Sequence, residues 1–155
     1  MKQYLIDFFK YNKWANLKLL ETIKKLPDKD ESVKLFSHLI TSQKKWMNRI
    51  TKEVDDAVYN WFGPVMPLDE LEGKWTEVID WWINYIEKND ESGLDKELIF
   101  NRSEDNKGFS AKIRDIALQL NYHSIHHRAQ INRLIRLQNL EPPKTDYIFT
   151  VLKEL

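Results

Sequence analysis

Residues 111–139 read AKIRDIALQLNYHSIHHRAQINRLIRLQN, and this stretch decides the fold. At about 100° per residue, Ile116, Leu120, His123, His127, Ile131 and Leu134 share one stripe of a helix. Leu118, Tyr122, Ile125 and Ala129 lie roughly opposite. A helix that is apolar on two sides is covered on two sides, by its own chain or by a subunit contact. Ser110 is the expected N-cap of this segment, which runs from about Ala111 to Asn139, and Pro142-Pro143 forbids its continuation.

Upstream, the same period recurs. A first segment runs from about Lys2 to Leu26, with Phe8, Ala15, Leu19 and Leu26 near one face and Pro27-Asp28 as its stop. A second starts near Ser32, read as an N-cap, and continues to about Lys52. Phe36, Leu39, Ile40, Met47 and Ile50 mark its apolar face. Residues 53–67 contain Gly63, Pro64 and Pro67 and read as a long connection. The third segment starts near Asp69 and repeats Leu71, Trp75, Val78, Trp82 and Ile86 at three and four residues. Asn89 to Gly93 is turn-like, residues 97–109 read as a loop or short hairpin, and Asp146 to Leu155 as a short terminal helix. The expectation is an all-α fold, a four-helix bundle with long crossover connections and a short C-terminal helix, forming one domain over residues 1–155.

Composition narrows the function classes. The 24 basic and 24 acidic side chains balance, so there is no global basic field to hold nucleic acid or an anionic membrane. No cysteine is present, which removes disulfides, thiolate metal sites and a cysteine nucleophile and fits a cytoplasmic protein. The N-terminus does not read as a signal peptide, and no apolar run reaches the length of a membrane span. Neither a nucleic-acid nor a membrane partner is expected.

Three of the four histidines fall within five residues. His123 and His127 are one helical turn apart and interrupt an apolar face. Imidazoles buried there need partners for their nitrogens. A shared metal ion would supply one, and hydrogen bonds within the core would do as well. His126 lies toward the flank and reads as a rim group or a group behind the ligands. Arg128 and Gln130 read as polar residues of the helix surface or an interface. His38 sits off the centre of the second segment's apolar face, on the side of Ser42 and Arg49, and reads as exposed.

Beyond these patterns, the chain resembles the DinB/YfiT-like superfamily of metal-dependent helical bundles. The resemblance rests on Tyr11-Asn12-Lys13-Trp14-Ala15-Asn16, on His38 followed eight residues later by Trp46, and on His123-Ser124-Ile125-His126-His127-Arg128-Ala129-Gln130. It also rests on Pro143-Lys144-Thr145-Asp146-Tyr147. Ala129 stands where glycine is common, and Gln43 where an acid is often found. The resemblance implies His38, His123 and His127 as ligands of a divalent transition metal ion: nickel, zinc, iron or manganese. It also implies a homodimer and an enzyme that acts with a low-molecular-weight thiol and an electrophilic small molecule. His126 is the best-motivated group for proton transfer in such a reaction. The alternatives are a noncatalytic metal- or ligand-binding stress protein, and a purely structural bundle in which the histidine pair is only hydrogen-bonded.

Overall fold

The computed structural model describes residues 1–102 and 105–154. The chain is mostly helical, in the order α1 (Lys2–Ile23), α2 (Asp30–Thr51), α3 (Leu68–Lys88), α4 (Glu91–Leu94), β1 (Glu97–Asn101), β2 (Gly108–Lys112) and α5 (Ile113–Leu137). Single 3-10 turns occupy Asp56–Val58 and Tyr147–Thr150. The second of these lies inside the span expected to form a terminal helix, whose last residue, Leu155, is outside the described residues. Among them, no helix is long and apolar enough to cross a membrane.

The helix ends show why two expected caps move. Ser32 is not an N-cap: α2 begins at Asp30, and Ser32 is buried inside it. Lys29 holds the N-cap position without a side-chain capping bond, and just before it the Asp28 carboxylate accepts the Asp30 N–H at 3.1 Å. Asp30 and Glu31 in the first turn also suit the positive end of the helix dipole. Ser110 is not the cap of α5 either. It sits in β2 opposite Ile99, in an antiparallel hairpin registered from Glu97↔Lys112 to Asn101↔Gly108. Strand pairing holds the backbone extended through Lys112, so the helix starts two residues later than the capping signal suggests. The short hairpin reading of residues 97–109 is met, and Asn89 to Gly93 partly coils into α4.

The four long helices pack in a ring. α1 contacts α3 and α5, and α2 contacts the same two. Apolar residues recurring at three and four positions meet in the middle. Phe9 stacks on Trp82 at 5.8 Å between ring centroids, and Phe36 meets Trp75 edge-on at 5.6 Å. Leu5, Leu19, Leu39, Ile79, Leu120 and Ile131 fill the space between them, all essentially without exposure.

Between α1 and α5 an apolar contact of Phe8, Tyr11 and Ala15 with Leu118 lies beside a buried polar network. Arg128, read as a polar residue of the helix surface or an interface, is 4% exposed and lies at the contact between the two helices. Its guanidinium donates to Asn12 Oδ1 and Asn16 Oδ1, both at 3.0 Å, and to the Tyr11 hydroxyl at 2.7 Å. Tyr11 passes its own proton to the Thr145 carbonyl at 2.8 Å. Asn12 Nδ2 donates to Asn121 Oδ1 at 2.6 Å and Asn16 Nδ2 to Ser124 Oγ at 2.8 Å. Burial lowers the Arg128 pKa against the pull of Tyr11 and the more distant Asp146. The planar fork suits three acceptors at fixed angles, which an ammonium does not.

Replacing Arg128 by Ala strands several buried acceptors, and unsatisfied buried groups cost about 1–3 kcal/mol each. Urea denaturation of Arg128→Ala should show a loss of about 2–5 kcal/mol. Arg128→Lys should recover only part of it. An unchanged midpoint in Arg128→Ala would mean that the network does not hold the helices together.

Candidate metal centre

α5 and α2 bring the three histidines together. On α5, the one-turn spacing puts His123 and His127 on the face toward α2. On α2, His38 faces them. Ring centroids lie 5.0 Å apart for His38–His123, 4.7 Å for His38–His127 and 4.4 Å for His123–His127, with near-perpendicular planes. One ligand nitrogen from each histidine lies within 4.8 Å of the others. His38 Nε2 and His123 Nε2 are 2.9 Å apart. Two nitrogens on a tetrahedral zinc ion stand about 3.3 Å apart, since each bond is about 2.0–2.1 Å. The donor set therefore fits a divalent ion.

Outward hydrogen bonds settle the tautomer of two of the rings, His38 and His127. His38 Nδ1–H donates to the Trp61 carbonyl at 2.5 Å. A carbonyl only accepts, so His38 Nε2 is left bare toward the centre. His127 Nδ1–H donates to Gln130 Oε1 at 2.6 Å, which leaves its Nε2 bare in the same way. Gln130 Nε2 in turn donates to His126 Nε2 at 3.2 Å. Gln130 is thus a support for His127 rather than an idle polar residue of the surface. His126 is exposed, does not line the cavity and touches His127 only by its ring edge, at 5.1 Å.

His38 is not exposed. It is 5% accessible, because residues 53–67 fold along the polar side of α2. Ser37 Oγ accepts the Met66 N–H at 3.0 Å, and Lys45 Nζ donates to the Tyr59 carbonyl at 2.9 Å. Arg49 donates twice to one oxygen of Asp56, at 3.0 and 2.9 Å. Asn48 bonds both the N–H and the carbonyl of Val54. The connection carries Phe62 onto His38, stacked at 4.2 Å, and Trp61 beside it. Periodicity missed Trp61, Phe62, Lys45 and Gln130. The available signal was the polar series His38, Ser42, Lys45, Arg49 at helical spacing, too regular for a merely solvated face.

A cavity of about 380 Å³ opens over the three imidazoles. Trp46, Trp61, Phe62 and Leu120 supply its apolar wall, with Ser42 and Gln119 as the other polar side chains. Ser42 Oγ is 3.5 Å from His123 Nε2. Burial lowers the pKa of all three histidines. His123 falls to about 4, through burial first and then through the neighbouring His127, His38 and His126. His38 is lowered by burial against the Trp61 bond, and His127 by burial against the Gln130 bond. Near neutral pH the rings are uncharged, which is the form that binds metal.

An unfolded histidine protonates near 6.5, while His123 in the fold stays neutral down to about 4. Over that window the unfolded chain binds protons that the folded chain refuses, so stability is full above about 6.5 and falls as pH drops. Urea midpoints of metal-free protein should decline from pH 7 to pH 4.5, with a shallower decline in His123→Gln. Equal slopes in the two proteins would remove His123 as the cause.

The profile of the DinB superfamily matches residues 23–131, well over half of the chain. No curated protein matches it. The matched span holds all three clustered histidines on the two helices that present them, and the chain belongs to the DinB superfamily.

Proposed function

We propose that this protein is a metal-dependent small-molecule enzyme in which His38, His123 and His127 hold one divalent transition metal ion. We further propose that it joins an external thiol to an electrophilic small molecule. One observation carries the metal: one ligand nitrogen from each of the three imidazoles lies within 4.8 Å of the others beneath a cavity, with the outward nitrogens of His38 and His127 already bonded. Imidazole suits nickel, zinc, iron and manganese alike. Three ligands leave coordination positions open to the cavity. A bound ion would lower the pKa of a thiol or water held there toward neutrality.

The chain's own residues do the rest. The chain has no cysteine, so the thiol arrives as a cosubstrate. In the transfer the thiol would lose its proton to water, its sulfur would form a bond to the electrophilic carbon, and the leaving group would depart with its electron pair. The aromatic wall of Trp46, Trp61 and Phe62 would limit the access of water to the reacting atoms. Ser42 Oγ, beside His123, is placed to hydrogen-bond a group entering the cavity. His126 acts at one remove: by accepting from the Gln130 amide it keeps Gln130 Oε1 turned toward His127. The ring of α1, α2, α3 and α5 supports a four-helix bundle with crossover connections over residues 1–155 as the acting unit.

The second apolar stripe of α5 supports a homodimer. Leu118 is taken up by Phe8, Tyr11 and Ala15 of the same chain, but Tyr122 and Ile125 stay exposed.

Metal analysis of untagged protein should find one divalent ion per chain. His127→Ala should lose most of it and His126→Ala should largely keep it. Gln130→Ala should weaken affinity about 10–100-fold, as groups behind metal ligands commonly do. Full occupancy in His38→Ala would place the third ligand elsewhere. Metal without turnover of any thiol–electrophile pair would favour a noncatalytic binder. Light scattering should give a dimer in the micromolar range, with Ile125→Asp shifted toward monomer. An unchanged mass would move the interface off α5.

A further inference from the structure

The cavity wall also bears on what enters it. Trp46, Trp61 and Phe62 gather around the histidines, and three aromatic rings in one pocket suit either a flat apolar group or a cation. The surroundings decide between them. The Trp61 ring already carries the Lys45 ammonium at 4.4 Å, and the Trp46 ring carries the Arg49 guanidinium at 4.5 Å. Both cations are buried and fixed, Lys45 at 1% exposure and Arg49 at 7%, and both are tied to Asp56. A second cation at these rings meets charge of its own sign. Among the described residues no carboxylate lines the cavity to offset it, and no lysine or arginine lines it to pair with an anionic tail.

We infer that the cavity selects small ligands with a metal-binding donor atom joined to an uncharged, apolar and preferably aromatic body. Hydrophilic or charged thiols are disfavoured. This rests on the metal reading above. About 380 Å³ is near the lower end of the usual range for ligand pockets, about 300–1,000 Å³. The donor atom sits at the histidines, and the body lies against Trp46, Trp61, Phe62 and Leu120. Ser42 and Gln119 leave room for one or two hydrogen bonds on the body, which fix its orientation.

The test uses cobalt(II)-loaded protein, because a thiolate bound to cobalt gives a near-ultraviolet charge-transfer band that reports occupancy without any turnover. Benzyl mercaptan and 2-mercaptoethanol carry the same donor on an aromatic and a hydrophilic body. Titrated at one pH, benzyl mercaptan should bind at least about tenfold more tightly, the order expected for burying one ring against aromatic neighbours. Phe62→Ala, a change at a largely exposed ring, and Trp46→Ala should each narrow the ratio about threefold or more. Equal affinities for the two thiols, or a ratio unchanged in both variants, overturns the inference while leaving the metal reading intact. Failure of the parent protein to take up cobalt overturns the metal reading and the inference together.

Discussion

The Arg128 guanidinium lies between α1 and α5 with its charge shared among neutral partners: two asparagine carbonyls, a tyrosine hydroxyl and the Tyr11 ring face at 5.0 Å. Taking a cation out of water is costly unless hydrogen bonds replace its hydration, and here three bonds and a ring face do so. The arrangement is therefore intolerant of small rotations. Arg128 directly follows His127 on α5, and residues of a helix turn together. Fixing the guanidinium fixes the azimuth of α5, and with it the direction of both ligand imidazoles. The asparagines that receive it, Asn12 and Asn16, also reach back to Asn121 and Ser124, which flank His123. The histidine pair is held from the side facing away from the cavity.

The other half of the centre depends on a different kind of restraint. His38 is oriented by a backbone carbonyl, and that carbonyl is placed by a connection with little regular structure. Four polar side chains of α2 hold the connection from Val54 to Met66. Lys45 and Arg49 become buried as a result and find their charge partner in Asp56 and their ring contacts in Trp46 and Trp61. One layer of charge thus supports the loop and the cavity wall at once.

The four long helices were legible because each repeats apolar residues at three and four positions, and Trp75, Trp82, Phe36 and Ile131 all lie where that repeat puts them. The pairing of His123 with His127 was legible for the same reason. His38 was not, because periodicity ranks a residue by its own helix. The cover over His38 comes from residues 53–67, whose sequence has no period. Ser32 and Ser110 failed as caps for related reasons. In one case the helix begins two residues earlier, with Lys29 at the N-cap and Asp28 bonding the first turn, and in the other strand pairing overrode the signal. The place of Arg128 at an internal contact was not legible because a buried arginine shows no sign of burial in sequence unless the matching acceptors, here Asn12 and Asn16 on a distant helix, are recognised as its partners.

Since the acceptor for His38 Nδ1 is main chain, no side-chain replacement at position 61 deletes it. Only displacement of the loop does. The ring orientation of one ligand and the order of residues 53–67 are thereby two readings of a single equilibrium. Whatever tightens the histidine cluster must, by reciprocity, tighten the loop to the same degree, and whatever lifts the loop must weaken the cluster. The place of Trp61 and Phe62 in the cavity wall is then not thermodynamically separate from the orientation of His38. The loop covers His38 and orients its ring through the same hydrogen bond.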